Sequence, residues 1–538
     1  MSSVEGLVAA LQVTPPPPSL GETFEACARQ CANPATRQEF ASLQVDVKLL
    51  EAYITGEWTA LERQIAPTLG QNGDDDGLGY SYTTSKSDLA DAALPGTAFL
   101  DIHVASMHVA HLLSCYRFLR NVCVSTPATQ STLHALLSTT TLMLRTTISW
   151  LDTPETELKA QLALMAQVML QFLGNVVVAH PVNQQTLWPL FHPDLLEKIL
   201  VECQLYRKMI AYAAAVVVNC LHPHDAARTT SLVEARQVII LLLQRCLTQE
   251  MPSDNGDDPA LEWITMIFQT LFQRQTAALL YRNLSASLLS SLWAKLTPEQ
   301  MLLLRMLDMV LMWQEDDSTG KTGVSFQPMD DAALVPFFCD EFRALHATDN
   351  ADETEPMLEA PSVDRQAMWK VMEVETSKLM LHILGTLTSL HMHMPQPAIL
   401  AFIPVLVTQL QRFAPTHGHS TNAFTQAPKE DETYGYRSAG IRVLGNVVHQ
   451  NTEAQDAMRT CGGLEVLLNS CNVDPTNPMI REWALVALRH VCEGNEANQA
   501  YIRALSPQQV VSDVDLTKMG VEPVLEDNKI AWKPKPAE

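Results

Sequence analysis

A chain of 538 residues is too long for one simple hydrophobic core, so several domains or one extended array is expected. Its 47% hydrophobic content excludes disorder over most of the length, and 21 Gly with 6% aromatics, beside many Leu, Ala, Met and Gln, favour helix over sheet. The net charge of −24, from 36 basic and 60 acidic residues without a dense basic run, excludes nucleic acid as a partner class.

The first twenty residues, "MSSVEGLVAALQVTPPPPSL", lack a basic segment before an apolar one, and no signal peptide is expected. A polar loop follows from Gly70, "GQNGDDDGLGYSYTTSKSD". Tyr116, Leu119, Val122 and Cys123 then mark one apolar helical stripe, and Leu170, Leu173, Val176 and Val177 a second, each requiring burial. Thr126-Pro127 and His180-Pro181 stand at the ends of these helices, where Pro suits the first turn of the next one. The runs "AYAAAVVVNCL" and "VIILLLQRCL" are too short to span a bilayer and read as buried helices, so no membrane insertion is expected. Eleven scattered cysteines, as in "RNVCV" and "RHVCE", suit reduced, buried thiols in a cytoplasmic protein.

Acidic or polar segments begin at Glu250, Glu315, His346 and Pro415. They divide the chain into an N-terminal helical region (1–345), an acidic linker (346–364), a helical region (365–413), a polar linker (414–436) and a C-terminal domain (437–538). In that last domain Ile441, Leu444, Val447 and Val448 reappear 44 residues later as Leu485, Leu488, Val491 and Cys492. Such a period belongs to armadillo and HEAT arrays. Asn451 and Asn495 are expected to cap the short helices that follow, and Asn477-Pro478 to open a long one. The end, "MGVEPVLEDNKIAWKPKP", reads as a two-stranded piece.

Four phrases thus share one plan: "LRNVCVSTPATQ" from Leu119, "LGNVVVAHPVNQ" from Leu173, "LGNVVHQNTEAQ" from Leu444 and "LRHVCEGNEANQ" from Leu488. In each, a Gln follows the leading Leu by eleven residues: Gln130, Gln184, Gln455 and Gln499. The first two copies lie 54 residues apart, so the array is irregular. The expected fold is all-α: an irregular armadillo/HEAT-like α-solenoid, its repeats stacked into a superhelix because no repeat closes its own core. Leu119, Leu173, Leu444, Leu488 and Trp483 are the expected packing residues between repeats.

"RFLRNVCVSTPATQSTL", "LQFLGNVVVAHPVNQQTLW" and the block from "GIRVLGNVVHQNTEAQDAM" through "MGVEPVLEDNKIAWKP" resemble the ataxin-10 family of armadillo-like proteins. The resemblance is good at both ends and patchy in the middle third. It implies a eukaryotic, mainly cytoplasmic α-solenoid without catalytic apparatus, with members connected to cytokinesis and cell division through protein partners; some fungal relatives carry a copper-transport name.

The sequence offers three kinds of candidate site. For catalysis, Gly320-Lys321-Thr322 is the tail of a phosphate-binding loop, but the Gly needed five residues before Gly320 is Glu315. A charged surface loop is the better reading, and no enzyme and no cofactor are expected. For metal, His391, Met392, His393 and Met394 place imidazoles beside soft thioethers, the ligand types of copper. A dedicated metal site is not expected there, and copper handling stands as the competing function. Third, in peptide-binding armadillo proteins an Asn in an L-x-N step lines the concave surface and bonds an extended peptide. Asn121, Asn175 and Asn446 occupy that step, and His490 replaces it in the last copy. The Trp one turn earlier, used by nuclear-import adapters, is Arg117, Gln171, Arg442 or Val486 here, which weakens a transport-adapter reading. Two roles stay open for these Asn residues: lining a groove, or satisfying backbone groups between repeats. The expected function is a non-enzymatic protein-interaction scaffold.

Overall fold

The computed structural model describes residues 3–13, 17, 19–42, 46–69, 101–247, 258–285, 296–317, 332–347, 363–390, 396–414, 433–472, 474–505, 521–526 and 529–534. The chain forms two compact bodies, Met1–Leu271 and Phe272–Glu538. The division falls inside the N-terminal region delimited from sequence as 1–345.

In the N-terminal body, α1 (Ser3–Leu11) and α2 (Leu20–Gln30) precede four triplets. These are α3 (Pro34–Ser42), α4 (Val47–Leu69) and α5 (Ile102–Val122); then α6 (Pro127–Thr132), α7 (Leu136–Ser149) and α8 (Thr156–Val177). Next come α9 (Pro181–Phe191), α10 (Asp194–Glu202) and α11 (Arg207–Leu221), followed by α12 (Ala226–Glu234), α13 (Arg236–Leu247) and α14 (Pro259–Gln273). The third helices α2, α5, α8 and α11 pack on one another in order, and the second helices α4, α7, α10 and α13 form the other layer. The helix α8 is long and apolar enough to cross a bilayer. Its Leu162, Met165, Met169, Leu173 and Val176 are nevertheless buried, and the helix is packed between α5 and α11. Each such side chain contributes about 1.5–3 kcal/mol by leaving water.

The C-terminal body contains α15 (Ala277–Asn283), α16 (Pro298–Asp317), α17 (Leu334–Leu345), α18 (Val363–Leu390) and α19 (Gln396–Arg412). It continues with α20 (Tyr436–Val447), α21 (Thr452–Thr460), α22 (Gly463–Asn469), α23 (Ile480–Cys492) and α24 (Glu496–Ala504). Helices α16, α18, α20 and α23 form one layer, and α15, α17, α19 and α22 the other. The pairs α17–α18 and α19–α20 are two-helix, HEAT-like repeats, whereas α21–α22–α23 is a full armadillo triplet. At the end, β1 (Val521–Glu526) and β2 (Lys529–Pro534) pair antiparallel, Val521 opposite Pro534 and Glu526 opposite Lys529. The architecture is the irregular, all-α armadillo/HEAT-like solenoid expected from the sequence, with its two-stranded end piece.

The seams between repeats share one backbone device. Six residues after the leading Leu the chain enters the left-handed region, at Ser125 (φ 52°), Ala179 (φ 50°), Gln450 (φ 52°) and Gly494 (φ 71°). The next residue begins the following helix: Asn451 Oδ1 accepts from the Ala454 amide at 3.1 Å and Asn495 Oδ1 from the Asn498 amide at 3.0 Å. One expected cap is corrected. Asn477 does not start α23, whose N-cap is Met479 at φ 61°. Asn477 Oδ1 instead accepts from the Arg437 amide of α20 at 2.9 Å, because its loop folds back over the orphan donors of that helix.

Candidate functional site

The recurring amides of the seams form a ladder. Asn121 Nδ2 donates to the Ala28 carbonyl of α2 at 2.8 Å, and Asn175 Nδ2 to the Arg120 carbonyl of α5 at 2.9 Å. Asn446 Nδ2 donates to the Gly385 carbonyl and to Thr388 Oγ1 of α18, both at 3.0 Å, and His490 Nδ1 lies 2.9 Å from the Gly445 carbonyl of α20. Each side chain of the L-x-N step therefore reaches back to the last helix of the preceding repeat.

The glutamines reach forward. Gln130 Nε2 donates to the carbonyls of Asn175 (2.9 Å) and Val178 (3.1 Å). Gln184 Nε2 does so to Val177 and Asn219 (2.9 Å each) and His222 (2.7 Å). Gln455 Nε2 reaches Val448 (3.3 Å), His490 (2.9 Å) and Glu493 (3.3 Å). These targets are carbonyls of the last turn and the C-cap residue, which no i+4 amide of the same helix reaches. A further Asn, one residue before the Gln in two copies, adds a rung: Asn183 Nδ2 to the Gln130 carbonyl at 2.9 Å, and Asn498 Nδ2 to the Gln455 carbonyl at 3.0 Å. The array has one more seam than the sequence phrase reveals. Asn219 Nδ2 donates to the Gly174 carbonyl at 3.1 Å, and Arg228 takes the Gln position, its Nε 2.7 Å from the Cys220 carbonyl. Val217 for Leu and Arg228 for Gln hid this copy.

The expected packing residues divide. Leu119, Leu173 and Leu444 are fully buried, while Leu488 and Trp483 are half-buried. The apolar stripe of α23 also differs at its start, with Leu485 exposed. Close approach of α20 and α23 requires Gly445, since a Cβ there would lie 3.2 Å from Ala487 Cβ. The His391–Met394 run and the Gly320-Lys321-Thr322 step lie outside the described residues.

What the ladder leaves outward on the third helices is polar and aromatic. In the N-terminal body Arg117 Nη1 pairs with Glu25 Oε1 at 2.5 Å, and Arg120 Nη1 donates to Gln171 Oε1 at 2.5 Å. Burial, then repulsion from Arg117, lowers the pKa of the Arg120 guanidinium. In the C-terminal body the Arg442 guanidinium stands 5.6 Å from the centre of the Trp483 ring. Val486 lies beside Trp483 in α23 and is 42% exposed. All eleven cysteines are unpaired, and burial pushes Cys31 up to about 11 and Cys203 and Cys220 up to about 12.

Comparison with known proteins places this architecture. Residues 436–533 match the model of the spinocerebellar ataxia type 10 protein domain. Ataxin-10 of Xenopus tropicalis is 24% identical over 459 residues, covering 82% of this chain and 83% of that protein. The ataxin-10 homolog of Dictyostelium discoideum is 38% identical over 108 residues, 20% of this chain and 18% of that protein. A chain solved in work on a phosphorylation switch controlling the interaction between cadherin and beta-catenin superposes with a TM-score of 0.26 at 12% identity, covering 92% of this chain and 91% of that one. The chain thus carries the domain of the ataxin-10 family at its C-terminal end and is similar to ataxin-10 along most of its length.

Proposed function

We propose that this chain is a non-enzymatic, cytoplasmic protein-interaction scaffold that acts in cytokinesis and cell division through protein partners held on its third-helix faces. The supporting observation is the division of labour on α20 and α23. Asn446 and His490 are engaged by the preceding helix, while the half-buried Arg442 and Trp483 face each other beside the exposed Val486. Arg and Trp are the residue types that dominate binding energy at protein interfaces, where a desolvated aromatic anchor contributes most. The acidic surface elsewhere favours solubility and discourages unspecific contact.

The test is proximity labelling in dividing cells with the tagged full chain and an Arg442→Ala/Trp483→Ala variant whose helical content is checked by circular dichroism. Loss of a defined set of labelled proteins, including components of the division machinery, is expected. An unchanged set for the folded variant would sink the proposed surface, and a set without division proteins would sink the proposed process.

A further inference from the structure

His108 and His111 lie one turn apart on α5, and Glu57 lies on the neighbouring α4; none belongs to the ladder or to the third-helix stripe. Residues three apart share a helix face, so both imidazoles turn onto one carboxylate oxygen. Glu57 Oε2 is 2.7 Å from His108 Nδ1 and 3.1 Å from His111 Nδ1. The three ligand-type atoms all lie within 4.8 Å of one another. The side chains of His108, His111 and Glu57 are 16%, 27% and 17% exposed, which seats the cluster at the edge of the core with access to solvent.

The electrostatics favour a cation. Burial raises the Glu57 carboxyl, but hydrogen bonds from His111 and His108 outweigh it and hold the group below the usual carboxylate range. Among the described residues no Lys or Arg pairs with Glu57. Hydrogen bonds and charge from the two histidines offset the half-buried carboxylate, and the same contact raises the His111 pKa, so a metal ion would compete there with a proton.

We propose that Glu57, His108 and His111 bind a divalent transition-metal ion of the zinc class, with a water molecule at the fourth position. Two imidazole nitrogens and a carboxylate oxygen are the donor set such ions accept, and three protein ligands leave one place open. Metal–ligand bonds of about 2.0–2.2 Å in a tetrahedron put the ligand atoms about 3.3 Å apart. That separation falls within the spread of the three atoms, which lie from 2.7 Å to no more than 4.8 Å apart. Calcium and magnesium, which need six or more oxygens, fit this set poorly. Cys115, one turn beyond His111, is fully buried and is not one of the three clustered ligand atoms. A bound ion clips α4 to α5.

The experiment uses the full chain stripped with a chelator and titrated with Zn²⁺ by calorimetry. One ion per chain and a rise in melting temperature are expected. His111→Gln and Glu57→Gln are each expected to weaken binding by about 100-fold or more, since an outer-shell partner alone is commonly worth 10–100-fold. His391→Ala/His393→Ala leaves binding unchanged. Affinity falls as pH falls, because protons compete for the imidazoles. Absence of saturable one-to-one binding, or wild-type binding in both ligand variants, overturns the proposal. Should His111→Gln fail to fold, Co²⁺ loaded into the unaltered chain decides. Intense visible bands of a four- or five-coordinate ion support the site, and the weak spectrum of the hydrated ion alone overturns it.

Discussion

Gln184 gives the most direct measure of what the ladder contributes. It is fully buried, its Nε2 lies within 2.9 Å of three carbonyls (Val177, Asn219 and His222), and its Oε1 accepts from Arg228 Nη2 at 3.1 Å. The amide has only two hydrogens, so the three carbonyls share two bonds. Two neutral hydrogen bonds at about 0.5–1.5 kcal/mol each and one to a charged group at about 1.5–3 kcal/mol would be lost in Gln184→Ala. Arg228 keeps the Cys220 carbonyl and Asp225, which limits the penalty on that side. The expected cost is about 3–4 kcal/mol, at the upper end for a single substitution. Gln499 occupies the same place in the last repeat but, among the described residues, donates only to the Cys492 carbonyl at 2.9 Å, and its Oε1 accepts from the exposed Arg503 at 3.3 Å. Gln499→Ala should cost about 1 kcal/mol or less. Hydrogen exchange read by mass spectrometry on peptides from α8 and α11 separates the two. Gln184→Ala should lower protection there by about 10²–10³-fold, at 1.4 kcal/mol per tenfold. Equal effects of the two substitutions would refute the view that the forward bonds carry the value.

Three further outcomes follow from the same structure. Asn446→Ala removes the bonds to the Gly385 carbonyl and Thr388 Oγ1, though Thr388 Oγ1 keeps the Leu384 carbonyl at 2.6 Å, and should destabilise the chain by about 1–3 kcal/mol, read as a lower urea midpoint. Gln450→Gly relieves a left-handed residue where the last copy already carries Gly494, and should raise stability by about 0.5–1 kcal/mol, visible as a higher melting temperature. The third concerns pH. Burial lowers His192 from 6.5 to about 4, its ring stacks on Trp188 at 4.5 Å, and its Nε2 has no hydrogen-bond partner among the described residues. The unfolded chain takes up a proton that the fold refuses, so this stabilisation is complete above 6.5 and is lost as pH falls towards 4. His192→Phe should shrink the difference in urea midpoint between about pH 7 and about pH 5, and an unchanged difference would show that His192 does not titrate in that window.

The helices, the seams and the end hairpin were readable from the chain because their causes are local. An apolar stripe at helical spacing, a capping Asn451 or Asn495 and alternating residues in 521–534 each act within a few positions. Even the Gln at position eleven was visible as a recurrence, although its purpose was not. Where a side chain acts across the fold, sequence was silent. Asn121 and its acceptor Ala28 are 93 residues apart, and Glu57 and His108 are 51 apart. The expectation for Asn477 went astray for the same reason: "NP" looks like a local helix start, yet its oxygen serves the end of α20, forty residues earlier. The spacing in the chain set the period of the stack. Only packing decided which carbonyl each amide meets, because neighbouring helices present their unsatisfied backbone groups at distances no local pattern encodes.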